Sequence, residues 1–162
     1  MVESSVSRAT TAQATPTPRG SKTLAWVMML VTGVTMAYWM MWFMLPGGRD
    51  ALAVLPKDVS YLHFENAFPV ADGWLSLTAL IASIQLFRAQ SSALPWLFMA
   101  GSAGMYLGGM DILFDIENGI YTLWAQNPGA VSTEMLINIA TVAISVVTLL
   151  WAWRQRMWLC QP

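Results

Sequence analysis

Apolar residues in this chain fall into four long runs, each close to the ~20 residues that a helix needs to cross a bilayer. The runs cover residues 23–45, 61–87, 93–117 and 132–153. The first is stopped by Pro46, Gly47 and Gly48. The third carries Pro95 in its first turn, where a missing N–H costs nothing. The fourth is expected to open on Ser132 as cap, with Glu134 in the positive end of the helix dipole. The pattern predicts an all-α protein, an integral membrane four-helix bundle spanning residues 23–156.

The second run has two readings, because Pro69 removes a backbone donor and crowds the preceding turn. Either the helix begins near Tyr61 and kinks at Pro69, or Pro69 opens it and residues 58–68 form a short separate helix. At 1.5 Å per residue, Asp72 then lies either ~16 Å or only ~5 Å from the helix start.

Composition supports a membrane protein. The 162 residues are 56% hydrophobic and only 10% charged, against about 25% charged in soluble domains. Residues 1–22 are rich in Ser, Thr, Ala and Pro without apolar period and read as a disordered tail. The apolar run that follows is too long for the core of a signal peptide, and no small-residue cleavage site closes it. Residues 157–162 read as a short tail. Basic residues orient the spans. Arg8, Arg19, Lys22, Arg88, Arg154 and Arg156 fall on one side, Arg49 and Lys57 on the other. This places both tails in the cytoplasm and the protein in the cell membrane as a multi-pass chain, the inner membrane in a bacterium. Glu3 is then the single cytoplasmic acid, and all the other acids lie in the outer half.

Net charge is −1, which gives no basic footprint for nucleic acid. One Cys and one His exclude a disulfide framework and leave little for a zinc site. Met36, Met40 and Met44 align at helical spacing, but without a His or Cys partner they read as packing rather than a copper site. His63 reads as interfacial. No nucleotide-binding, metalloprotease or nucleophile-elbow motif is present, and no cofactor is implied.

Polar side chains form stripes. Ala100, Gly104, Gly108, Asp111, Asp115 and Asn118 share one face of the third span. Gly104 and Gly108 form a small-residue pair that lets a second backbone approach, within the chain, in a homo-oligomer or with a membrane-complex partner. Glu65, Asp72, Ser76 and Ser83 line the second span; Glu134, Asn138, Thr141 and Ser145 line the fourth. Small hydroxyl residues at this spacing are mostly packing contacts, whereas carboxylates in hydrocarbon point to function. The candidate site is an acidic vestibule of Asp72, Asp111 and Asp115, with Glu65 and Asn138. Its chemistry is that of a proton or cation site in a transport-related or accessory subunit. The alternatives are an enzyme acting on a lipid with Asp72 and Asp111 as acid and base, and a structural scaffold. An enzyme needs an apolar pocket with lipid access beside the acids; a cation site needs converging oxygens.

Overall fold

The computed structural model describes residues 17–159. Most of the expected N-terminal tail, and Cys160, lie outside the described residues. Within them the fold is helical: α1 (Ser21–Met44), α2 (Gly48–Leu52), α3 (Val59–Glu65), α4 (Phe68–Phe87), α5 (Ala93–Glu117), a 3-10 segment (Ile120–Ala125) and α6 (Pro128–Leu159). Four stretches, with α3 and α4 counted as one, are long and apolar enough to cross a membrane. Many of the large apolar side chains point outward, among them Leu30, Val34, Val70, Leu136 and Val147.

Two ends of the bundle can be told apart. The terminal end holds the start of α1 and the finish of α6; the loop end holds α2, α3 and the 3-10 segment. Neighbouring long helices pack in chain order, α1 on α4, α4 on α5 and α5 on α6, while α1 and α6 hardly touch. At the terminal end the Trp151 indole N–H of α6 donates to the carbonyl of Arg19, two residues before α1, at 3.2 Å.

Several helix limits differ from the sequence expectation. α6 begins at Pro128, not Ser132, because Asn127 serves as its cap: the Asn127 Oδ1 accepts from the Ala130 N–H at 3.3 Å, and Pro128 fits the first helical position. Ser132 lies one turn inside and donates to the Pro128 carbonyl. At the other end α6 continues to Leu159, so residues 157–159 are helix rather than tail. Pro69 stands in the first turn of α4. The chain breaks at Asn66 and Ala67, and α3 precedes the break as a separate short helix.

The break is held from three sides. Asp58 caps α3 by accepting from the Tyr61 N–H at 2.9 Å. Trp42 of α1, almost fully buried, donates its indole N–H to Asn66 Oδ1 at 3.1 Å. Phe64 stacks on Phe114 of α5 with ring centroids 3.6 Å apart. These contacts hold α3 against the bundle and turn Glu65 inward.

Hydroxyl groups tie α1 to α4 through the apolar interior. Ser83 donates to the Ala25 carbonyl at 2.8 Å and Thr32 to the Ser76 carbonyl at 3.1 Å. Glycines bring α5 onto α6 of the same chain. A Cβ on Gly101 would sit 2.7 Å from Leu149 Cγ, and one on Gly108 would sit 2.8 Å from Val142 Cγ2. A Cβ on Gly104 would collide with the Ser145 hydroxyl.

Candidate functional site

Between α1 and α6, where the helices stand apart, lies a cavity of about 350 Å³. All the long helices contribute to its wall. Apolar side chains dominate it: Met28 and Val31 from α1, Leu75 and Ala79 from α4, Ala140 and Ile144 from α6. Four acids also line it: Glu65, Asp72, Asp111 and Glu134. Among the described residues no Lys, Arg or His does.

Three of these acids converge. Glu65, Asp111 and Glu134 each offer a carboxylate oxygen, and the three oxygens lie within 4.8 Å of one another. They come from three different elements, α3, α5 and α6. Glu65 and Glu134 are each only 7% exposed. The fourth acid, Asp72, accepts from the Trp39 indole N–H at 2.9 Å. Tyr38 and Trp39 of α1 add two aromatic rings to the same wall.

Asp115 and Asn138 stand apart from this group, and neither lines the cavity. Both are almost fully buried. The Asn138 amide donates to Asp115 Oδ2 at 2.9 Å and to the Tyr121 hydroxyl at 3.3 Å. They form a polar clamp joining α5, α6 and the 3-10 segment. Burial pushes the Tyr121 phenol up to about 12, against the bonding from Asn138.

The structure thus divides the residues that the stripes had grouped. Glu65 and Asp111 meet, Asp72 shares their cavity, and Asp115 pairs with Asn138 elsewhere. Asp111 meets two glutamates, its carboxylate oxygen lying within 4.8 Å of theirs. Glu134 was missed as a site residue because a start at Ser132 made it a first-turn acid in the helix dipole. With the start at Pro128 it stands about 9 Å along the helix, at 1.5 Å per residue. Gly104 and Gly108 lie buried against α6. His63, Glu117, Asp50 and Lys57 are exposed. Arg49 is also exposed and stands over the Phe43 ring, 5.4 Å from its centroid. Met36, Met40 and Met44 face outward.

No family model matches the chain, and no curated protein or solved structure does either.

Proposed function

We propose that this protein is a multi-pass membrane protein, with both termini cytoplasmic, whose Glu65–Asp111–Glu134 centre binds a proton or cation in its outer half. The observation that carries the reading is the convergence of three carboxylate oxygens within 4.8 Å on a cavity lined, among the described residues, by no basic side chain. Like charges 4.8 Å apart repel by roughly 3 kcal/mol at an effective dielectric of about 20. Three ionised acids make three such pairs, or roughly 10 kcal/mol. That is as large as the whole stability of a typical domain, about 5–15 kcal/mol. A proton or a cation held among the oxygens removes this repulsion. Several converging oxygens are also the donor set that hard cations take.

The six-to-two division of basic residues supports the orientation. It puts the loop end, and the acids with it, on the outer side. In this role the protein serves as a transport-related or accessory subunit. The scaffold reading has less support, because packing alone does not require three acids around one cavity.

The test is infrared difference spectroscopy of the purified protein. Changing pH, or adding calcium or potassium ions, should alter carboxyl bands in the wild type. Glu134→Gln, which keeps a hydrogen-bonding amide, should remove the largest of these changes. Bands that respond to neither protons nor cations would overturn the reading.

A further inference from the structure

We infer that the cation received by this centre is the head of a long-chain amine, which enters from the lipid between α1 and α6 and lays its apolar chain in the cavity. The inference rests on the proposed cation site and names the class of its ligand.

Shape is the first argument. The cavity wall on α6 runs from Glu134 to Thr148, a length of about 21 Å at 1.5 Å per residue. A volume of about 350 Å³ falls in the range of small-molecule sites, roughly 300–1,000 Å³. Spread over that length it is long and narrow, which suits an extended chain better than a compact ring system. An inorganic ion would fill only the acidic part and leave the apolar remainder without a purpose.

Access is the second argument. Leu30 and Val34 on α1 and Leu136 on α6 line the cavity, yet each is more than half exposed on the outer surface. The opening therefore faces sideways between two helices that hardly touch. In a bilayer that direction is lipid.

Charge complementarity is the third. Four acids, with Tyr38 and Trp39 beside them, suit an ammonium, which bonds carboxylates and is attracted to aromatic faces. A phosphate head would meet four acids and, among the described residues, no basic side chain. This selects a simple amine over a phospholipid.

The experiment measures retention of radiolabelled dodecylamine by the purified full-length chain in a neutral detergent. Unlabelled dodecylamine, dodecanol and dodecanoic acid serve as competitors. The amine should compete roughly ten- to a hundredfold better than the alcohol, the worth of a hydrogen bond to a charged group, and the acid should not compete. Ala140→Phe, which fills the middle of the cavity, should reduce amine retention by a similar factor. It should leave the infrared response to small cations in place. Val70→Phe, on the outer surface, should change neither. Equal competition by amine and alcohol would overturn the inference on the wild type alone, without any variant. Carboxyl bands that respond to protons or calcium, with no amine retained, would sink this inference and leave the cation site standing. Amine retention that survives Glu134→Gln combined with Asp111→Asn would remove both.

Discussion

Gly108 and Gly109 are adjacent on α5 and should respond differently to the same substitution. In a helix interior, Gly→Ala gains about 1 kcal/mol from backbone propensity. At Gly109 a Cβ meets nothing within 4 Å, so that gain is realised. At Gly108 the same Cβ comes within 2.8 Å of Val142 Cγ2 and 3.4 Å of Thr141 Cγ2. Val142 is β-branched and cannot swing aside cheaply. Overpacking of this kind costs about 1–3 kcal/mol, which offsets or exceeds the gain. Gly108→Ala should therefore be less stable than Gly109→Ala by about 1–3 kcal/mol. For a chain of this size that gap is roughly 2–12 °C in melting temperature. Thermal unfolding of both variants in one detergent measures it directly. Val142→Ala should restore part of the loss when combined with Gly108→Ala, because it removes the methyl group in the way. If Gly108→Ala melts at or above Gly109→Ala, the close approach of α5 to α6 is wrong, and with it the placement of Asp111 beside Glu134.

Two other predictions concern orientation and the buried clamp. Reporter fusions at Gln90 and at the C-terminus should both report the cytoplasm; an external signal from either would overturn the map, and with it the grouping of the acids on the outer side. Asn138→Leu should destabilise the protein by about 1–3 kcal/mol, because it removes a hydrogen-bond donor from the buried Asp115, whereas Asn138→Leu combined with Asp115→Leu should recover most of the loss. Equal melting of Asn138→Leu and wild type would show that the two side chains do not bond.

The four long helices could be read from the chain because hydrophobicity over ~20 residues is a local property. Their ends were harder to read, since a cap depends on one or two side chains. Ser132 and Asn127 are both good caps by residue type. Pro128, well suited to the first helical position, settles the choice in favour of Asn127. The break before Pro69 follows the same logic. A proline forbids certain conformations but does not say what precedes it, and the separate α3 depends on Trp42 reaching Asn66 and Phe64 stacking on Phe114. Both partners lie far away in sequence.

The site was legible only to the extent that helical periodicity assigns faces. Asp111 and Asp115 are one turn apart, so periodicity places them on one stripe. That stripe is wide, and α6 lies across it. Asp111 falls on the cavity side of the contact and Asp115 on the side of Asn138 and Tyr121. Which acids meet is then decided by how far each helix is shifted along its neighbour. The glycines set that shift: Gly101 against Leu149, Gly104 against Ser145, Gly108 against Val142. A displacement of α6 by one turn, about 5.4 Å, would carry Glu134 away from Asp111 while preserving every stripe. The small-residue face and the acidic face of α5 are thus one device. Close approach at the glycines fixes the register, and the register brings a glutamate from α6 to an aspartate on α5 and to Glu65 on α3. The cavity follows from the same arrangement. A chain-ordered bundle closed tightly along α5 and α6, with α1 and α6 hardly touching, opens on the side where three carboxylates have been gathered.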